Sequence, residues 1–194
     1  MKRYKQIKLK KIIVGSDEVG RGPLAGPIVA GAVTYKNTLI PDYVFDGRDS
    51  KLLSTAQREK LSNKIWDQYL CAIGIVSAEE IDLLGISLAN RLAIIRAINN
   101  LKIYFDVALV DGNLKFDDTR FFSIIQGDKS HELICAASII AKVWRDNLMQ
   151  MLHNEFPCYN WSKNKGYGTK EHLDAIKKLG TSPYHRKTFK IAQC

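Results

Sequence analysis

The sequence predicts an α/β domain built on a mixed β-sheet, and three observations predict it. Short apolar runs fill residues 12–16 and 28–35, with only a glycine- and proline-rich stretch between them, so two neighbouring strands come first. From residue 54 onward, helical periodicity alternates with further short apolar runs, the pattern of strands interleaved with covering helices. Apolar residues make up 46% and charged residues 25% of 194, ordinary for a chain that buries a core without disulfide staples.

The elements follow in order. Residues 12–16 form a buried strand leading into Asp17, and residues 28–35 form a second, bounded by Pro27 and Asn37. Ser54 and Gln57 have capping-box spacing, which opens a helix running to about Tyr69. Residues 71–76 are a third strand. Ser77 and Glu80 repeat the capping box before a short helix, which Gly85 interrupts. Leu88, Leu92, Ile95 and Ile98 then keep helical spacing across residues 87–101. Residues 107–110 are a β-branched strand ending at Asp111, and residues 121–125 a strand ending near Asp128. A long helix covers residues 132–156 until Pro157 stops it, and residues 170–179 are helical again. The expected division is a domain over residues 1–156 and a small, basic, helical C-terminal segment over 157–194.

The net charge is +9 and unevenly placed. Residues 1–11 and 157–194 each carry +6, leaving −3 for the middle. Basic ends attract polyanions, nucleic acid first among them, although lysines can also serve solubility alone. Cys71, Cys135, Cys158 and Cys194 show no zinc spacing and read as free thiols. No apolar run has membrane-spanning length, and no apolar stretch follows the charges of the first eight residues as in a secretion signal. A cytoplasmic monomer without a membrane partner is expected.

Carboxylates stand at strand ends: Asp17 and Glu18 after the first, Asp111 after the fourth, Asp128 after the fifth. Strands that run together bring such ends to one sheet edge. Gathered there, ionised carboxylates must take up protons or be neutralised by a hard divalent cation. Two such ions suit phosphodiester hydrolysis. Taken singly, each carboxylate is better explained as a loop cap. Asp17 and Glu18, being adjacent, share a site only if the strand ends or turns between them, which Gly20 and Gly22 favour. Gly20, Arg21 and Gly22 let backbone amides approach an anion while Arg21 adds a phosphate fork; a plain structural turn is the alternative. The match to a dinucleotide glycine pattern fails, because Pro23 and Pro27 interrupt it and a strand follows. Residues 163–172 mix basic side chains with Tyr167, near Tyr159 and Trp161. That composition suits either a backbone-tracking surface with a stacking ring or a loop whose aromatics close a small core. His131, His153, His172 and His185 show no ligand spacing.

The segment from Gly15 to Pro27, GSDEVGRGPLAGP, resembles the opening motif of ribonuclease HII. Further resemblances follow in order: Asp49-Ser50-Lys51 with Leu53-Ser54, Val110–Asn113, Gly127-Asp128, the AASIIAKVWRD run from Ala136 to Asp146, GYGTKEH from Gly166 to His172, and HRKTF from His185 to Phe189. The resemblance implies a ribonuclease H-like mixed sheet flanked by helices, with a small C-terminal helical subdomain. It implies cleavage of RNA in RNA–DNA hybrids and incision 5′ of single ribonucleotides in duplex DNA, leaving 3′-hydroxyl and 5′-phosphate ends, with Mg²⁺ or Mn²⁺. It implies Asp17, Glu18, Asp111 and Asp128 as catalytic metal ligands. Gly20, Arg21, Gly22, Lys51 and Tyr167 become substrate contacts, and Lys142, Arg145 and Asp146 support or backbone contacts. The arginine between the two glycines favours the HII type over ribonuclease HIII. Two rivals are kept: a non-catalytic nucleic-acid-binding module, and a metal-dependent DNA nuclease of related fold.

Overall fold

The computed structural model describes residues 11–36 and 53–190. Five strands form one sheet in the order β3-β2-β1-β4-β5. They are β1 (Ile13–Val19), β2 (Ile28–Tyr35), β3 (Tyr69–Val76), β4 (Val107–Asp111) and β5 (Phe121–Ile124). β1, β2 and β3 pair antiparallel, while β4 joins β1 and β5 joins β4 in parallel. The sheet is therefore mixed, as expected. The helices are α1 (Thr55–Gln68), α2 (Ala78–Leu84), α3 (Ile86–Asn100), α4 (Gly127–Ser130), α5 (Glu132–Glu155), α6 (Trp161–Asn164) and α7 (Lys170–Leu179), with a 3-10 turn at Pro157–Tyr159.

Both capping boxes form. The Ser54 hydroxyl accepts the Gln57 amide and the Gln57 side chain accepts the Ser54 amide, and Ser77 and Glu80 do the same for α2. The four-residue α4 was not expected; it starts from Gln126 in left-handed backbone and is too short to show periodicity.

Side chains alternate between two cores. On one face Val14, Ala30, Ala32 and Val110 pack with Ala93, Ile94 and Ala97 of α3. On the other, Val33 packs with Leu133, Ala136, Ala137 and Ile140 of α5 and with Ile65 of α1. The helices sit close because small residues admit them. A Cβ on Gly31 would lie 2.4 Å from the Ala137 carbonyl oxygen, and one on Gly74 would lie 2.1 Å from the Ala93 carbonyl oxygen. A third core, with Met149, Leu152, Tyr159, Trp161 and Ile176 around Ala25, ties the end of α5 and the C-terminal segment to the loop after β1.

Candidate active site

Where the parallel pairing of β1 with β4 ends, Ser16 is level with Val110. Asp17 and Asp111 come next and leave the sheet on the same face, that of α5. Ser138 of α5 hydrogen-bonds the Asp17 carboxyl, and Asp17 Oδ1 accepts the Glu18 amide at 2.7 Å. The turn expected between Asp17 and Glu18 does not occur. β1 continues through Val19, with Asp17 opposite Gly31 and Glu18 opposite Ala30. Glu18 thus lies on the α3 face, beside Asn90. The sheet edge, rather than a turn, brings the acids together: Asp17 feels the charges of Glu18 and Asp111, and Glu18 that of Asp111.

Electrostatics records this crowding. Burial, then the charge of Glu18, push Asp17 up to about 8; the Ser138 hydrogen bond opposes them, and Asp111 adds to the rise. Burial also raises Glu18, opposed by Arg21 and Asn90. The Arg21 guanidinium stands 3.5 Å from the Glu18 carboxylate. Asp128 sits buried in α4, where its amide donates to Asp111 Oδ1 at 3.3 Å.

Among the described residues, no three His, Cys, Asp or Glu side chains already form a metal-holding group. The donor chemistry fits a hard divalent cation all the same. Asp17, Glu18 and Asp111 offer only oxygen, and the proton that burial and like charge keep on Asp17 near neutral pH is what a cation would replace. A cation would have to share these carboxylates with the Glu18 amide, the Asp128 amide and Arg21.

The loop of residues 20–27 adjoins the acids through Arg21. Gly20 has φ +94°, in the region that favours glycine. Two buried arginines hold the loop from beneath. Arg145 of α5 donates to the carbonyls of Pro27, Ala25 and Lys165 at 3.0, 3.1 and 2.9 Å. Arg186 donates to the carbonyls of Gly20, Arg21 and Gly26. Arg145, which the motif match suggested for support or backbone contact, is 0% exposed, so its contacts lie inside the protein.

Tyr167 is 46% exposed, and a Cβ on Gly22 would lie 3.6 Å from its ring. Tyr159 and Trp161, by contrast, stack in the third core. The two accounts of this segment therefore divide between its residues. Tyr167 is anchored by a buried chain whose proton positions follow from its partners. The Ser182 amide can only donate, so His185 Nδ1 accepts at 2.9 Å and its proton is on Nε2. Trp161 Nε1 can only donate, so His172 Nε2 accepts it at 3.1 Å, and also accepts His185 Nε2 at 3.1 Å. His172 Nδ1–H then donates to the Tyr167 carbonyl at 2.9 Å. Both rings are neutral, in keeping with the downward pull of burial on both and of His172 on His185.

Lys51 lies outside the described residues, as does most of the motif at residues 49–54. Reading the sequence missed Asn90, and it gave no role to Ser138 and Arg186, although both lie in runs that carry the resemblance. Asn90 is 1% exposed and neither polar atom of its side chain has a hydrogen bond of ordinary geometry. It lies on the apolar stripe Ile86-Asn90-Ala93-Ala97 of α3, and a polar residue on such a stripe was the available signal.

The family model for ribonuclease HII matches residues 14–192. A ribonuclease HII of Orientia tsutsugamushi (strain Boryong) is 50% identical over 186 residues, covering 96% of this chain and 89% of that one. One of Rickettsia bellii (strain OSU 85-389) is 53% identical over 179 residues, covering 92% and 89%. The crystal structure of ribonuclease H2 from Pyrococcus horikoshii OT3 superposes with a TM-score of 0.76 at 27% identity, covering 92% of this chain and 94% of that one.

Proposed function

Because the chain belongs to the ribonuclease HII family, we propose that it incises duplex DNA 5′ of a single embedded ribonucleotide as well as cutting continuous RNA–DNA hybrids. It is an endoribonuclease, a hydrolase acting on RNA in such hybrids. The observation that carries the finer reading is the continuity of acids and reader. Arg21 stands 3.5 Å from Glu18, and the Tyr167 ring lies 3.6 Å from where a Cβ on Gly22 would stand, so the carboxylates and the surface proposed to meet the sugar adjoin.

In this reading Asp17, Glu18, Asp111 and Asp128 hold Mg²⁺ or Mn²⁺. Such a cation, when bound, lowers the pKa of water and neutralises charge building on a leaving oxygen. The protein's own groups do the rest. The backbone of the exposed residues Arg21 and Gly22 receives the ribose 2′-hydroxyl, the one group marking RNA at an arbitrary sequence, and the adjoining phosphate. Tyr167 closes against the sugar from the side of Gly22. Lys51, on sequence grounds, contacts a phosphate. The basic segment 157–194 supplies Tyr167 and, with Lys163, Lys165 and Lys170, attracts the duplex backbone. Water attacks the phosphorus 5′ of the ribonucleotide and the bond to the preceding O3′ breaks, which leaves a 3′-hydroxyl and a 5′-phosphate.

An end-labelled duplex with one ribonucleotide, beside an all-DNA duplex and a continuous hybrid, tests this with Mg²⁺, Mn²⁺ or chelator. Metal-dependent incision 5′ of the ribonucleotide is expected. Equal cutting of the all-DNA duplex would point to a DNA nuclease, and salt-sensitive binding without cutting to a binding module.

A further inference from the structure

We propose that Arg186 is a positioning residue that turns the Arg21 and Gly22 amides outward and thereby sets the discrimination of ribose from deoxyribose. This rests on the reading above, in which that backbone meets the sugar.

The peptide group is planar and trans, so its carbonyl and amide point in opposite directions. Arg186 Nη2 donates to the Gly20 carbonyl at 2.5 Å and Nη1 to the Arg21 carbonyl at 2.8 Å. Both oxygens therefore face the buried guanidinium, and the amides sharing their peptide planes, those of Arg21 and Gly22, face away from it. Away from it is solvent, because Arg21 and Gly22 are exposed while Gly20 and Arg186 are buried. Neither amide donates a backbone hydrogen bond among the described residues. Two adjacent outward amides form a receptor for an oxygen atom, beside the carboxylates on one side and Tyr167 on the other.

Arg186 can impose this because it is itself held. Its Nε and Nη2 also donate to the Gly26 carbonyl at 3.0 and 2.8 Å, so a single guanidinium spans both ends of the loop. Its amide donates to the Leu24 carbonyl at 2.8 Å, and the Gly26 amide donates to the Tyr184 carbonyl at 2.9 Å. The neighbouring His185 begins the chain of hydrogen bonds that ends at the Tyr167 carbonyl. The segment 182–186 thus grips both parts of the reader, the loop through Arg186 and the tyrosine through His185 and His172. Lysine keeps the charge but is a point donor without the planar fork, so it cannot satisfy three carbonyls in this geometry.

The test uses the full-length protein and R186K. In chelator, the affinities for a duplex with one ribonucleotide and for the same all-DNA duplex are measured; incision is measured with Mg²⁺. The preference for the ribonucleotide duplex should fall towards one in R186K, and incision at the ribonucleotide should drop about 10- to 100-fold, the scale of a small misplacement of a contacting group. Folded R186K with an unchanged preference would overturn the proposal, since a merely structural role moves the melting temperature and not this ratio. The wild type gives a test that does not depend on the variant folding. In chelator, the Arg21 and Gly22 amides should exchange rapidly with solvent, and the ribonucleotide duplex should protect them more than the all-DNA duplex. Amides already protected in the free protein, or equally protected by both duplexes, would sink it. Failure of the wild type to incise would instead refute the proposed function.

Discussion

Replacing Asp17 by asparagine should stabilise the metal-free protein at alkaline pH while abolishing hydrolysis. In the fold the Asp17 carboxyl is pushed up to about 8 from an ordinary 3.8, by burial first and by Glu18 second. The native state therefore holds a proton that the unfolded chain releases. Below about pH 4 both states are protonated and there is no penalty. As pH rises towards 8 the unfolded state gains a free carboxylate that the fold resists, so stability falls across that window. At about 1.4 kcal/mol per unit, the ceiling is about 6 kcal/mol. Relaxation and water entry around a buried ion reduce this, leaving about 2–4 kcal/mol. Asparagine keeps the size and can still accept the Glu18 amide and Ser138 through its oxygen, but carries no charge.

The assay is urea unfolding in chelator at pH 5, 7 and 9. The advantage of D17N over wild type should widen with pH and reach a midpoint shift of about 1 M or more at pH 9, given slopes of about 1–3 kcal/mol per M. Excess Mg²⁺ at pH 9 should stabilise the wild type and do much less for D17N, because a cation replaces the proton only where a carboxylate remains. A difference independent of pH, or a wild type more stable than D17N at pH 9, would refute the account of Asp17 as a crowded acid.

Asp111→Asn should leave the melting temperature nearly unchanged and cut the single-turnover incision rate by about a thousandfold or more; ordinary turnover would remove Asp111 from the site. Gly31→Ala should cost about 3 kcal/mol or more in unfolding free energy, because the new Cβ meets the Ala137 carbonyl oxygen at 2.4 Å in a contact of backbone on backbone; calorimetry showing a neutral change would mean that α5 can lift off the sheet at no cost. Burial and the nearby His172 draw His185 from 6.5 to about 4, so the fold binds the proton less readily than the unfolded chain. About 3 kcal/mol of stability should then be present above pH 6.5 and lost as pH falls towards 4; tryptophan fluorescence, followed through acid unfolding, should show a smaller loss over that window in H185Q than in the wild type, with the remainder from other groups such as His172.

Much of the fold was legible because it rests on local signals. The second strand was placed at its observed bounds because proline precedes it and its apolar run is continuous. Both capping boxes announced their helices. α4 was not legible, since a four-residue turn starting from left-handed backbone has neither periodicity nor a side-chain cap. The pairing of Asp17 with Asp111 was legible in kind, as acids at the ends of strands, but not in register. Only the parallel alignment of Ser16 with Val110 sets the two carboxylates on one face.

The error over Glu18 shows where pattern reasoning stops. Alternation along a strand separates neighbouring side chains, and it separates Asp17 from Glu18 here as well. Reading the sequence therefore demanded a turn to reunite them. The pairing of β1 with β4, however, stops at Ser16, while β1 runs on beside β2 alone, and around that open side both faces of the strand meet the same space. Glu18 reaches that space from the α3 side, where Asn90 flanks it, and Asp17 reaches it from the α5 side, where Ser138 holds it. The two residues need different helices to aim them, which is why polar residues interrupt two otherwise apolar helix faces. The same logic governs Arg186. Its partners lie some 160 positions earlier in the chain, and no periodicity spans that distance. What reveals it is the accounting of carbonyls in the loop between β1 and β2: the inward oxygens of Gly20, Arg21 and Gly26 need donors, and the Arg186 guanidinium supplies them.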